Sequence, residues 1–125
     1  VLATADAIIE RLADTRGLVY RYQPDTGVDG LDGNEGTFLP CTFWLAQVLA
    51  AGVRSGEARE VFERAVSHIN DVGLFAEEID SKTGEQLGNF SQAFSHVGLI
   101  NAAWAIDQAE SGYHAHKGTP AENAP

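Results

Sequence analysis

From Thr37 to Ala51 the chain carries apolar side chains nearly all the way round a helix. Cys41, Trp44, Leu45, Val48 and Leu49 form one stripe, and Phe38, Leu39, Phe43, Ala46, Ala50 and Ala51 fill most of the remaining circumference. Such a helix has no face to give to water and needs neighbours on several sides. A second stretch behaves the same way: Phe94, Val97, Leu99, Ile100, Ala102, Ala103, Trp104 and Ile106 leave almost no polar face. Two further helices are one-sided. In the first, Ala5, Ile8, Ile9, Leu12 and Ala13 oppose Glu10, Arg11 and Asp14; in the other, Ala58, Val61, Phe62, Ala65 and Ile69 oppose Glu57, Arg59, Glu60, Glu63 and Arg64.

In chain order these make a repeat. An outer amphipathic helix, a long loop and an inner helix are followed by a short turn at Gly52-Val53-Arg54-Ser55, and the series comes again. Alternating short and long links between antiparallel helices are the signature of helical hairpins stacked in an array or ring, so the expected class is all-α. The expected boundaries are a first helix capped by Thr4 and ended by Gly17, and a second starting near Thr37 with Pro40 in its first turn. Ser55 or Gly56 caps the third, and Asn89 or Ser91 the fourth. From Gly112 apolar periodicity is lost and Pro120 and Pro125 appear, so the folded unit is set at 1–111 and a disordered tail at 112–125. Both long loops enter the start of an inner helix, so they collect at one end of the array. The first begins Leu18-Val19-Tyr20-Arg21-Tyr22, readable as a short strand, and continues through a Gly/Asp-rich run from Pro24 to Gly36. The second runs from about Asn70 to Phe90, with Asp80-Ser81-Lys82-Thr83-Gly84 as a turn. Connections this long are usually functional or disordered.

Charge narrows the partners. Eight basic against 18 acidic residues give a formal charge of −10, which repels nucleic acid and anionic membranes and leaves an uncharged ligand such as a sugar compatible. No apolar run approaches the roughly 18 residues of a membrane span. The start lacks the pattern of a signal peptide, which points to the cytoplasm. It also opens without methionine, close to a helix, as expected of a piece of a longer protein. The single cysteine, Cys41, reads as a small buried hydrophobe.

The second loop holds the chemistry. Glu77 and Glu78 stand side by side behind Gly73-Leu74-Phe75-Ala76. Adjacent side chains point in different directions, so at most one faces a given pocket. A carboxylate fixed by apolar neighbours can activate a water in a hydrolase; a solvated acidic loop is the plainer reading. Arg21 is suited to paired hydroxyls or to a structural ion pair with Asp25 or Asp29. Glu35, at the lip of the second helix, either faces a ligand or caps that helix. Asp25, Asp32 and Asp80 read as turn residues, Trp44 and Trp104 as core, and His96 as a loop anchor. His114-Ala115-His116 has metal-like spacing in the expected tail, but no metal site and no cofactor is expected.

These residues resemble glycoside hydrolase family 15, the glucoamylase-like enzymes, which include glucodextranases and bacterial trehalases. The resemblance runs through Gly17-Leu18-Val19-Tyr20-Arg21-Tyr22, through Glu35-Gly36-Thr37-Phe38-Leu39-Pro40-Cys41-Thr42-Phe43-Trp44, through Ala76-Glu77-Glu78 and through Gly88-Asn89-Phe90-Ser91-Gln92-Ala93-Phe94-Ser95-His96, and covers roughly residues 5–107. It implies an (α/α)6 barrel of six helix pairs, of which this chain has room for about two. It implies inverting hydrolysis of glucosidic bonds by a carboxylic acid and a carboxylate about 6.5–9.5 Å apart. By position Glu77 is then the general base, with Glu78 the second choice, and Arg21 and Glu35 bind substrate. The family's general acid has no counterpart in the 125 residues, so the isolated chain is expected to be inactive. Its uncovered helix faces should pair with the rest of the enzyme or with a second copy. The expected activity is glucoamylase-like; trehalase activity, or a non-catalytic helical interaction domain of the same descent, are the alternatives.

Overall fold

The computed structural model describes residues 1–23 and 35–117. Among these described residues lie four helices, α1 (Leu2–Leu12), α2 (Leu39–Ala51), α3 (Ser55–Val66) and α4 (Ala93–Lys117), and three short strands, β1 (Thr37–Phe38), β2 (Ala76–Ile79) and β3 (Gln86–Phe90). The expected all-α class is therefore corrected: the chain is mostly helical, with a three-stranded antiparallel sheet in the order β1-β2-β3. The second long loop is not irregular but folds as the β2–β3 hairpin. Its turn forms as expected: Asp80 Oδ1 accepts the Lys82 and Thr83 N–H groups at 2.8 and 2.7 Å, and Gly84 closes it at φ +75°.

α2 is the hub and packs against α1, α3 and α4. Phe43, fully buried, meets Phe62 of α3 and Phe75 at ring centroid distances of 5.9 and 5.7 Å. α4 crosses it closely because Gly98 has no side chain; a Cβ there would stand 3.1 Å from Phe43 Cβ. The nearly uniform apolarity of α2 is thus explained by neighbours on most sides. Its first turn accommodates Pro40 as expected.

Helix boundaries differ in detail. α1 ends at Leu12, well before Gly17, because Asp14 N–H turns to Leu18 O and Tyr20 N–H to Leu12 O, pairing the exit of α1 with the segment after it. Thr37 belongs to β1, and α2 begins two residues later. The backbone of α4 stays helical beyond Gly112 to Lys117. Of the sequence expectations, the Pro24–Gly36 run falls mostly outside the described residues, with Asp25, Asp29 and Asp32, as do residues 118–125.

α4 is buried on one side only. Ser95, Gly98, Ala102 and Ile106 face the core, whereas Phe94, Val97, Ile100 and Trp104 form an exposed stripe. Trp104 is 66% exposed and Trp44 53%, so neither tryptophan is core within this chain. Between α1 and α2 lies a cleft of about 350 Å³ lined by Ile8, Leu12, Cys41, Trp44 and Val48. Cys41 is half-buried there rather than fully enclosed. Among the described residues, no helix is long and apolar enough to cross a membrane.

Candidate active site

The sheet sits where α2 and α4 begin, so both long loops are tied to one end of the helical layer. The first loop is fixed by Thr42 in the first turn of α2. Its Oγ1 accepts the Val19 N–H at 3.0 Å and donates to Phe38 O at 3.3 Å, while Phe38 N–H donates to Val19 O at 2.8 Å. These bonds bring Arg21 to the mouth of α2. Its guanidinium lies 5.1 Å from the Phe38 ring centroid and 5.3 Å from that of Tyr22, and Nη2 donates to Glu35 Oε1 at 2.7 Å. Two rings and a carboxylate leave the guanidinium little rotational freedom. Desolvation works against its charge, but the hydrogen bonds to Tyr22 and Glu35 more than restore it.

The second loop is held from α4. Gln92 N–H donates to Phe75 O at 2.9 Å and Ser95 Oγ donates to Ala76 O at 2.8 Å. His96 accepts the Phe75 N–H on Nε2 at 3.3 Å and contacts Gln92 O through Nδ1 at 2.7 Å. That pattern assigns the neutral Nδ1–H form, and makes His96 the loop anchor read from the sequence. From the other side Gln86 accepts the Ala76 N–H on Oε1 and donates through Nε2 to His68 O and Leu74 O, each at 3.1 Å. Nothing in the sequence marks Gln86 out, since its role appears only once three backbone groups surround it.

The carboxylates follow from β2. Thr37 pairs with Ile79 and Phe38 with Glu78, so Glu78 lies on the face that carries Phe38 and its stacked arginine. Burial pushes the Glu78 carboxyl above its ordinary value, the negative charge of Glu35 adds to the push, and the Gly36 N–H and Arg21 pull the other way. Arg21, Glu35 and Glu78 are thus brought together.

Glu77 is turned elsewhere. Ala76 pairs with Phe90 and Glu78 with Leu87, so two residues of β3, Gly88 and Asn89, oppose the single Glu77. This is a β-bulge, a device that re-aims side chains beside many active sites. Asn89 N–H and Asn89 Nδ2 both donate to Glu77 Oε2 at 3.4 Å, and Oε1 has no hydrogen-bond partner among the described residues. The two adjacent acids do point apart as expected; it is Glu78, rather than Glu77, whose carboxyl feels Arg21.

The α1–α2 cleft is a poor sugar site, because its walls are almost wholly apolar. Among the described residues no group of three His, Cys, Asp or Glu side chains is placed to hold a metal ion.

The family model for glycosyl hydrolases family 15 matches residues 1–104. The trehalase of Mycolicibacterium smegmatis is 44% identical over 110 residues, covering 88% of this chain and 16% of that protein. The trehalase of Mycobacterium tuberculosis is also 44% identical over 110 residues, covering 88% of this chain and 15% of its own length. The trehalase of Thermoplasma volcanium is 44% identical over 108 residues, covering 86% and 17% respectively. The chain therefore spans about one sixth of these relatives. No solved structure matches it significantly.

Proposed function

The chain belongs to glycosyl hydrolases family 15, and on that footing we propose that it is the base-bearing part of an inverting trehalase. Trehalose is preferred to the glucoamylase-like linkages because relatives 44% identical over 88% of the chain are trehalases. The observation that carries the chemical reading is the Glu77 carboxylate, tethered through Oε2 by Asn89 just ahead of α4, with Oε1 lacking a hydrogen-bond partner among the described residues.

In this reading Oε1 of Glu77 takes a proton as the water oxygen attacks one anomeric carbon of trehalose. The bond from that carbon to the bridging oxygen breaks, and an acid outside these 125 residues protonates the departing oxygen. Inversion at one centre of an α,α-linked disaccharide releases one β-glucose and one α-glucose. Arg21, held by Phe38, Tyr22 and Glu35, presents its remaining N–H groups to sugar hydroxyls. Glu78 is engaged by the Gly36 N–H and lies within the field of Arg21, which suits shaping of that subsite. The helices are two hairpins of an (α/α)6 barrel, with preceding hairpins covering the α4 stripe and the α1–α2 cleft.

The test compares Glu77→Gln and Glu78→Gln in the full-length protein with trehalose as substrate. Glu77→Gln should lower kcat by at least about 10²–10⁴-fold with KM little changed, and Glu78→Gln should cost less. Early NMR spectra of the wild-type reaction should show α- and β-glucose in equal amounts. Wild-type turnover by Glu77→Gln, or a single anomer at early times, overturns the reading.

A further inference from the structure

The dipeptide Gly88-Asn89 opens the motif leading into α4, yet both residues are exposed and contribute nothing to the core. Their backbone is nevertheless tightly specified. Gly88 takes φ +76°, a left-handed conformation that suits glycine, and a Cβ there would stand 3.0 Å from Glu77 Oε2 and 3.2 Å from Glu77 Cβ. With that glycine at the bulge, Asn89 directs both its main-chain and its side-chain N–H groups at the same carboxylate oxygen. Two donors on one oxygen restrain the carboxylate's rotation and leave the other oxygen as the available acceptor.

We propose that Asn89, set by the Gly88 bulge, is a positioning residue for hydrolysis: it pins Glu77 Oε2 so that Oε1 is presented to the attacking water. The proposal rests on Glu77 being the base. Donors preorganised around a reacting carboxylate raise the fraction of complexes in which the water is correctly held, so the effect belongs to turnover more than to substrate affinity.

The experiment measures kcat and KM for trehalose in the full-length enzyme carrying Asn89→Ala, Asn89→Asp, Glu77→Gln, or Glu77→Gln with Asn89→Ala, each checked for its unfolding temperature. Asn89→Ala should lower kcat by about tenfold with KM within about twofold, as for loss of one hydrogen bond to a charged group. Asn89→Asp keeps the shape but sets a carboxylate against Oε2, so its kcat should fall below that of Asn89→Ala. Added to Glu77→Gln, Asn89→Ala should cost nothing further. A packing role would reverse the order, with Asn89→Asp close to wild type and Asn89→Ala impaired; that order overturns the proposal. So does a raised KM with kcat intact. If Asn89→Ala does not fold, the isosteric Asn89→Asp decides alone, and wild-type kcat in it refutes the proposal. Wild-type turnover by Glu77→Gln removes the base assignment and this proposal together, whereas an inactive Glu77→Gln beside a fully active Asn89→Asp removes only this one.

Discussion

Replacing Gln86 by alanine should loosen the segment that carries Glu77 without touching any carboxylate. The side chain makes three bonds to main-chain groups, accepting from Ala76 N–H and donating to His68 O and Leu74 O. They are unequal. Leu74 O keeps the Asn70 N–H at 3.2 Å, and half-buried His68 has water within reach, so those two losses are modest. Ala76 is 1% exposed, and its N–H loses a partner where water does not readily replace it. An unsatisfied buried donor costs about 1–3 kcal/mol and a replaceable bond about 0.5 kcal/mol, which together give about 2–4 kcal/mol. If the segment opens locally, that is roughly a 30- to 1,000-fold rise in amide exchange, at about 1.4 kcal/mol per tenfold. Hydrogen–deuterium exchange on a peptide spanning 69–79 of the full-length protein reads this directly, with the α2 peptide as internal control. Trehalose turnover should fall in parallel, because the segment leading into Glu77 then keeps only its strand pairing and its bonds from Gln92 and Ser95. Exchange within about threefold of wild type would refute the reasoning, as would an equal rise in the α2 peptide.

Gly36→Ala should disrupt the β1–β2 seam, because the new Cβ would lie 2.6 Å from Ile79 O and 2.9 Å from Ile79 C, both backbone atoms; a cost of about 1–3 kcal/mol in denaturant titration is expected. Arg21→Lys removes the fork that meets Glu35 and stacks between Phe38 and Tyr22, so KM for trehalose should rise by about tenfold or more in steady-state kinetics. Glu78 binds its proton more tightly folded than unfolded, so it contributes stability at low pH that is lost as pH rises through its raised value. Glu78→Gln should therefore raise the unfolding temperature at neutral pH, with the gain closing below about pH 4, near the ordinary glutamate value.

How much of this was legible depends on where each signal is stored. Helices were legible because their periodicity is local: the apolar run from Leu39 announces a hub before any neighbour is known. The alternation of outer and inner helices was legible for the same reason. The strands were not. β1 has two residues, β2 reads Ala-Glu-Glu-Ile, and β3 contains Gly88, so none shows the period of two that marks a strand; each exists because the others supply its hydrogen bonds. Trp104 misled because apolarity reports that a residue wants cover, not that this stretch of chain provides it. That Glu77 and Glu78 diverge follows from their adjacency. Which of them meets Arg21 rests on the pairing of Phe38 with Glu78, a relation between residues forty positions apart. Gln86 was invisible because a polar side chain in a polar loop acquires meaning only from the carbonyls folded around it.

The pairing of Phe38 with Glu78 also bears on how such a site can change over generations. Because side chains alternate along a strand, inserting one residue between Ala76 and Glu77 would turn each acid to the opposite face and take Glu78 away from Arg21, whereas a deletion there removes one of the acids outright. Length variation at Ser81–Thr83, beyond the paired residues, carries no such penalty. Drift in this hairpin should therefore accumulate at its tip and be purged within four positions of its base.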